Sequence, residues 1–269
     1  MQKKILSVLI VLCLVTMILS TVMIIKETSD RRKEIDDFDE LASLITDVNV
    51  SETEVETEAE TAVGTEVSGT ESEDNGGEND PKVVTRNLTP LFEKNGDCIG
   101  WIYIDKTTVN YPVMHTPTEP QRYLRRNFDR EYSIAGIPFL DGACTLDCDN
   151  LIVFGHNMKN GTMFSDITPY QNEAYFLEHP VIEFETADGL KKYKVMAVVK
   201  VKSNDNWYSF RVADDRSDYD GKIADIKSRA LYDTGVTPEY PTQLLTLSTC
   251  EGVAQNDRII VIGAEIPLR

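Results

Sequence analysis

The sequence predicts a mostly β domain whose strands form a largely antiparallel, barrel-like sheet. Short apolar or alternating runs outnumber helical repeats, and turn signals such as Asp188-Gly189 separate them. The runs lie at 101–104, 110–114, 139–141, 151–154, 181–184, 193–202, 244–247 and 258–263. Many short strands with few helices are typical of such a barrel.

Helical patterns lie between these strands. Leu88–Lys94 predicts a short helix, and we expect ordered structure to begin near Asn87. Residues 163–176 have a helical pattern that Pro169 bends or splits, because proline lacks the N–H that a helix needs. Residues 219–231 carry apolar side chains at helical spacing. A connecting turn or helix at 117–127 completes the set.

The first residues of the chain predict a membrane anchor. After a short N-terminus of residues 1–4, Ile5–Ile25 is 21 residues without a charge, long enough as a helix to span a bilayer. No Ala-x-Ala cleavage pattern follows, which favours an uncleaved anchor over a signal peptide. More basic residues follow the span than precede it, so the positive-inside rule alone would place the C-terminal domain in the cytoplasm.

Two further segments separate this span from the domain. Residues 26–50 have apolar residues at a spacing that suits an amphipathic helix. Residues 51–84 are low in complexity, and 51–80 contain 11 Asp or Glu and no Lys or Arg. Such a segment predicts a disordered, extended linker that holds the domain away from the membrane. The net charge of −18 argues against a nucleic-acid partner.

The remaining residues, 85–269, are enough for one domain with its own core. The chain has 5 cysteines, a sparse and odd set that does not indicate a disulfide framework. Cys144 and Cys148 lack the spacing and second ligand pair of a zinc site, although a disulfide between them stays open. We predict neither a metal nor a cofactor.

Three reactive side chains lie at strand ends. Cys250 ends one apolar run, Arg258 begins the next, and His156 follows the run at 151–154. Two antiparallel strands joined by a loop would bring Cys250 and Arg258 together. A thiolate attacks carbonyl carbon, imidazole transfers protons, and guanidinium donates hydrogen bonds to an oxyanion or to substrate. The structural alternative is a buried cysteine and a surface histidine with no chemistry between them.

The residues around these three side chains favour the catalytic interpretation, because they resemble a sortase of class B. The segments that carry the resemblance are Gly100–Ile104, Tyr111–Val113, Tyr123–Leu124, Asn127–Phe128, Gly136–Asp141, Gly155–Phe164, Leu247–Cys250 and the strand that begins at Arg258. They run from about residue 85 to the C-terminus in the family's order. The resemblance implies an eight-stranded barrel, with the helix at 219–231 as a class B insertion.

The resemblance also implies the site and its partners. His156, Cys250 and Arg258 would be catalytic, and the residues that would line the substrate groove are Leu124, Asn127, Trp207, Tyr208, Ser248, Thr249 and Glu251. For Trp207, core packing is an equal alternative. Sortases cleave a Leu-Pro-x-Thr-Gly-like sorting signal after threonine, hold a thioester, and pass the acyl group to an amine. The resemblance therefore implies surface-protein substrates, an extracellular catalytic domain on a single-pass anchor, and a peptidoglycan-precursor acceptor.

Other functions are disfavoured by the order of the residues. An L,D-transpeptidase places Ser-x-Gly before its cysteine and an arginine just after it, whereas here Arg258 lies eight residues after Cys250. Papain-like hydrolases place the cysteine before the histidine, the reverse of this order. A pilin-polymerising sortase, with a pilin lysine as acceptor, stays open. A non-catalytic, tethered surface-binding module is the alternative from a different class.

Overall fold

The computed structural model describes residues 2–45, 47–49, 84–250 and 256–267. Eight strands, β3 to β10, close into a barrel in the order β10-β8-β7-β3-β4-β5-β6-β9. Their bounds are β3 Cys98–Tyr103, β4 Asn110–Met114, β5 Phe139–Leu140, β6 Asn150–Phe154, β7 Val181–Thr186, β8 Gly189–Lys202, β9 Leu244–Cys250 and β10 Asp257–Ile266. The predicted eight-stranded barrel is confirmed.

Antiparallel pairing predominates, as predicted, but two neighbouring pairs of strands are parallel. These are β4 with β5 and β6 with β9. The second pair matters for the site, because parallel strands end at the same edge of a sheet. Strand β9 lies between β6 and the antiparallel β10, and it continues to Cys250 rather than ending at the apolar run.

Short helices connect the strands at the barrel's periphery. The predicted helical stretch at 163–176 is split, as expected, into a 3₁₀ helix Ser165–Gln171 that contains Pro169 and helix α3, Glu173–Glu178. Helix α4, Arg216–Ser228, begins before the predicted start because Asp215 caps it, accepting a hydrogen bond from the Asp218 amide at 2.9 Å. The other short helices are α2, Thr89–Lys94, and the 3₁₀ helices Arg122–Arg125 and Asn206–Ser209.

Alternation along β9 and β10 divides their side chains between the barrel interior and an outer apolar layer. Leu245, Leu247 and Val261 belong to the interior cluster. Leu244 and Ile260 belong to an outer cluster with the 3₁₀ helix that follows β8 and with α4. Successive residues of a strand point to opposite faces, so the even-numbered side chains of both strands face outward.

The C-terminal end of the long N-terminal helix packs directly against the barrel. Helix α1 runs from Gln2 to Leu44, and Leu41, 3% exposed, is buried in an apolar cluster that also holds Leu91 and Tyr123. Phe38 meets the Tyr111 ring edge-on at 5.1 Å between centroids. The amphipathic pattern at 26–50 therefore packs on the domain.

A two-stranded sheet joins the two ends of the acidic segment. Strand β1, Asp47–Asn49, pairs antiparallel with β2, Val84–Arg86. The Arg86 amide and guanidinium both contact the Glu185 carboxylate of β7, at 2.8 and 3.4 Å. After the acidic segment the described structure resumes at Val84, three residues before Asn87, where order was predicted to begin. The predicted linker at 51–84 lies outside the described residues except for its last residue, Val84.

The predicted transmembrane span lies within α1. In the part of the chain that the structure describes, no helix is both long enough and apolar enough to cross a membrane. The structure does not confirm the predicted span at Ile5–Ile25.

Candidate active site

Cys250 and Arg258 are paired residues on neighbouring strands. They are partners in the antiparallel register of β9 and β10, at the edge of the barrel where β9 ends. Directly opposed residues of such a pair share a face and have Cβ atoms roughly 4.5–5.5 Å apart. Because Ser248 and Ile260, two residues away on each strand, face outward, Cys250 and Arg258 do too.

His156 reaches the same edge on the other side of β9. Phe154 at the end of β6 pairs with Ser248 in parallel register, so two further residues along each chain bring His156 level with Cys250. Three hydrogen bonds hold the two segments together. The Gly155 amide donates to the Ser248 carbonyl at 3.1 Å, Thr249 Oγ1 donates to the Gly155 carbonyl at 2.8 Å, and Asn157 Nδ2 donates to the Cys250 carbonyl at 3.0 Å.

The turn into His156 requires glycine. A Cβ atom at Gly155 would lie 2.6 Å from the ring of Phe164. The Phe164 amide in turn donates to the His156 carbonyl at 2.8 Å, so the ring packs over the turn that it also holds by its backbone. A side chain at Gly155 would displace the phenylalanine or the histidine.

The environment of His156 favours a neutral imidazole with a defined tautomer. Burial lowers the pKa of His156 below its ordinary value of 6.5, and the charges of Arg125 and Arg258 lower it further, whereas the hydrogen bond with Leu124 acts in the opposite direction. Nε2 lies 2.9 Å from the Leu124 carbonyl oxygen. A carbonyl only accepts, so Nε2 carries the proton, and Nδ1 is left to take up and release protons.

Accessibility distinguishes Cys250 from the other cysteines of the barrel. All are free thiols, but Cys98, Cys144 and Cys148 are buried, whereas Cys250 is half-buried. Burial raises the pKa of Cys98 and of Cys144 to about 12, so both stay protonated at neutral pH. Cys144 and Cys148 are both free thiols in the structure, so the disulfide that the sequence left open is not formed between them.

The 3₁₀ helix Asn206–Ser209 covers the outer face of β9 below Cys250. Trp207 Nε1 donates to Thr246 Oγ1 at 3.0 Å, and Tyr208 Oη lies 2.8 Å from Ser248 Oγ. Trp207 is only 3% exposed, so it packs in the core, the alternative that the sequence left open. Tyr208 is half-buried, and its ring lies 5.8 Å from that of Phe154.

The hydroxyl groups predicted to line the groove are engaged within the protein. Ser248 is 1% exposed and bonds Tyr208, while Thr249 is also buried and bonds the Gly155 carbonyl. Their placement favours a role in shaping the edge of the barrel over direct contact with a ligand. Glu251 lies outside the described residues.

The remaining groove candidates are half-buried and lie in the connection between β4 and β5. Leu124 supplies the carbonyl that holds His156. Asn127 accepts a hydrogen bond from the Glu131 amide at 2.9 Å and lines a small cavity beside Phe38 and Leu41 of α1. Leu124 is thus beside the histidine, whereas Asn127 also borders the N-terminal helix.

Sequence reasoning misjudged one histidine and missed one asparagine. His179 precedes Pro180, a loop-like setting that predicts a surface position. It is instead 6% exposed, and its Nδ1 lies 2.9 Å from the Asp105 carbonyl oxygen. Asn157 was not singled out, yet its amide donates both to the Cys250 carbonyl and to Thr168 Oγ1, at 3.0 and 3.1 Å. Its position directly after His156 was the one signal that the sequence offered.

No set of three or more His, Cys, Asp or Glu side chains within the described ranges is arranged to hold a metal ion.

Comparison with known proteins identifies the family. A sequence model of the Sortase domain matches residues 102–266. Sortase B of Staphylococcus aureus is 30% identical over 186 residues, which cover 66% of this chain and 75% of that protein.

Solved structures agree with this assignment. A Staphylococcus aureus sortase B–substrate complex superposes with a TM-score of 0.63 at 28% identity, covering 68% of this chain and 85% of the other. A sortase B complexed with triglycine gives a TM-score of 0.63 at 27% identity, covering 68% and 86%. The chain therefore belongs to the sortase family, as a cysteine transpeptidase of the class B kind.

Proposed function

We propose that Cys250, His156 and Arg258 are the catalytic residues and that the chain anchors surface proteins to the cell wall by transpeptidation. The observation that carries the proposal is the arrangement at the barrel edge. Cys250 is register partner to Arg258 on one side and is hydrogen-bonded through its carbonyl to the residue after His156 on the other. Cys250 is half-buried rather than sealed in the core, which supports access of a peptide to its thiol.

Acylation begins with the thiol. Neutral His156 takes the thiol proton on Nδ1, and the resulting thiolate attacks the carbonyl carbon of the scissile bond. Arg258 stays charged at neutral pH and donates hydrogen bonds to the developing oxyanion or to the substrate backbone. The tetrahedral species collapses when imidazolium gives its proton to the departing amine, and the acyl group remains on Cys250 as a thioester.

Transfer reverses these proton movements. An incoming primary amine attacks the thioester carbonyl, and neutral His156 accepts a proton from the attacking nitrogen. Collapse expels the Cys250 sulfur and leaves the acyl group joined to the acceptor through an amide bond. Protons and leaving groups balance without a cofactor, so the reaction needs only the two substrates.

The substrate is a protein with a Leu-Pro-x-Thr-Gly-like C-terminal sorting signal, cleaved after its threonine. The support comes from the family and from the two class B relatives solved with a substrate and with triglycine. The terminal amine of triglycine models the amino group of a peptidoglycan precursor. Pilin-polymerising sortases often carry a flexible lid over the site, and no lid motif precedes the strand at Trp101 in this sequence. We therefore prefer this acceptor to a pilin lysine.

We also propose that Ile5–Ile25 anchors the chain in the cell membrane with the catalytic domain outside. The support is the 21-residue uncharged stretch and the extracellular substrate class of the family. Alkaline extraction of membranes and protease treatment of intact cells test the two parts of this proposal. Release of the chain by alkali, or protection of its catalytic domain from protease, would contradict it.

The catalytic proposal is tested with Cys250→Ala and a library of fluorogenic sorting peptides. The wild-type chain should cleave a subset of peptides and, with triglycine present, yield ligated product. Cys250→Ala should do neither, while Cys148→Ala, which removes a buried thiol away from the site, should retain turnover. Turnover by Cys250→Ala would contradict the proposed mechanism, and product with a lysine amine alone would favour pilus assembly.

A further inference from the structure

We infer that a polar cluster around the buried Tyr123 is a positioning device for His156, acting through the Leu124 carbonyl. The cluster consists of Asn95, Asp97, Tyr123 and Arg130, and we name it the Tyr123 clamp. The inference rests on the proposed role of His156 as the group that transfers protons.

The Leu124 carbonyl needs support from outside its own helix. It accepts the hydrogen bond from His156 Nε2, so its orientation determines the orientation and tautomer of the ring. Leu124 lies in the 3₁₀ helix Arg122–Arg125, which has four residues and no side-chain cap at its N-terminus. So short a helix has few hydrogen bonds of its own to fix a carbonyl.

The clamp holds this helix through Tyr123, the residue before Leu124. Tyr123 is 0% exposed, and its hydroxyl donates to Asp97 Oδ2 at 2.7 Å and accepts from Asn95 Nδ2 at 3.0 Å. Arg130 completes the cluster by donating to Asn95 Oδ1 at 2.6 Å and to Asp97 Oδ2 at 3.2 Å. Asn95 is itself 2% exposed, so the cluster ties a buried tyrosine to the turn that precedes β3.

The backbone at Gly136 approaches the same two peptides closely. A Cβ atom on Gly136 would lie 2.6 Å from both the Tyr123 and the Leu124 carbonyl oxygens, and its φ of +59° is a conformation that favours glycine. The Ile137 amide donates to the Tyr123 carbonyl at 3.1 Å. The Leu124 carbonyl is therefore fixed between the Tyr123 anchor and the Gly136 backbone.

Two features show that the clamp is more than apolar packing. Arg130 adopts a φ of +67°, an unfavourable conformation for a residue with a side chain, and from it reaches both Asn95 and Asp97. Each clamp member also forms a hydrogen bond with at least one other member, so directional bonds as well as packing hold the cluster together.

The clamp acts on His156 by position and not by charge. The charged groups that face the imidazole are Arg125, in the 3₁₀ helix, and Arg258 on β10. Neither belongs to the clamp. A clamp variant therefore leaves Arg125 and Arg258 in place and alters how firmly the Leu124 carbonyl is held. Tyr123→Phe, in addition, changes no charge.

The test compares Tyr123→Phe with Tyr219→Phe in the full chain. Tyr219 is a matched control because it is equally buried and its hydroxyl donates to a backbone carbonyl, that of Thr242, at 2.7 Å. Two quantities are measured for each: kcat with a cleaved sorting peptide, and protection of the His156 Nε2–H from solvent exchange by NMR. Arg130→Gln, at a partly exposed position, is a second clamp variant that spares the core.

We expect Tyr123→Phe to lower kcat about tenfold, since misplacing a catalytic group by a fraction of an ångström costs this order of magnitude. Its His156 Nε2–H should exchange at least tenfold faster, and Arg130→Gln should change both quantities in the same direction. Tyr219→Phe should change neither, although both variants remove a hydroxyl that a buried tyrosine donates in a hydrogen bond.

An unchanged exchange rate in both clamp variants would overturn the inference, whatever happens to kcat. Equal changes in the Tyr219→Phe control would also overturn it, because the effect would then be general destabilisation. Absence of turnover in the wild-type chain would contradict the proposed function instead, and the exchange measurement would still decide whether the clamp positions the ring.

Discussion

Cys250 and Arg258 face each other across β9 and β10 as register partners at the edge of the barrel. The seven residues between them in the sequence bring the chain from one strand into the next, so the thiol and the guanidinium share a face. A residue in this position can act on the oxyanion that forms next to the sulfur, and lysine cannot reproduce its planar donor geometry.

Arg258→Lys should therefore lower kcat/KM by about 10²-fold, the order of magnitude for loss of an oxyanion donor. Arg216→Lys, on the exposed start of α4, is the control and should leave kcat/KM unchanged. Both variants should unfold at the same urea concentration as the wild-type chain. Full activity of Arg258→Lys would show that positive charge alone suffices.

The pH dependence follows from the lowered pKa of His156. Burial lowers the pKa of His156 below its ordinary value of 6.5, so the neutral base persists to lower pH than in an unperturbed histidine. The acid limb of kcat/KM should fall below pH 6.5. The neutral ring also contributes stability that is present above 6.5 and is lost as pH falls toward the lowered value.

NMR titration of the His156 ring checks the same point independently of activity. The midpoint should lie below that of an unfolded reference peptide. A midpoint above 6.5 would mean that burial and the two arginines do not dominate the environment of the ring.

The hydrogen bond between Tyr208 and Ser248 should stabilise the fold. Tyr208→Phe leaves a buried serine hydroxyl without this partner and should lower the free energy of unfolding by about 1–3 kcal/mol. Ser248→Ala should also destabilise, and the double variant should cost less than the two single variants together. Strict additivity in a urea-denaturation cycle would contradict a direct bond between the two hydroxyls.

Packing of α1 on the barrel is tested with two leucines of the same helix. Leu41 is buried, so Leu41→Ala should lower the free energy of unfolding by about 2–3 kcal/mol. Leu44 is exposed, so Leu44→Ala should change it by less than about 0.5 kcal/mol. Equal small effects would show that α1 does not dock on the barrel.

Much of the site could be predicted because its determinants are local. The apolar runs that end at Cys250 and begin at Arg258 lie next to each other in the sequence, so their pairing is the simplest arrangement. His156 likewise follows an apolar run that becomes β6. Its pairing with β9 is parallel and spans 94 residues between Gly155 and Thr249, which the spacing of apolar residues does not encode.

Contacts between distant segments escaped prediction for the same reason. Tyr123 was noted only as part of a motif, because its partner Asp97 lies 26 residues away and neither has a distinctive local pattern. The apolar residues of α1 indicated an amphipathic helix but not the surface that it covers. That surface became visible only in the structure, where Leu41 packs directly on the barrel.

The central claim, a thioester on Cys250, is tested most directly by intact-protein and peptide mass spectrometry after brief incubation with a cleaved sorting peptide. We predict an added mass equal to the acyl fragment that ends in threonine, located on the peptide containing Cys250. Triglycine should remove this adduct and generate an equal amount of ligated peptide. Turnover without an adduct on Cys250, or with the acyl group on another residue, would contradict the account.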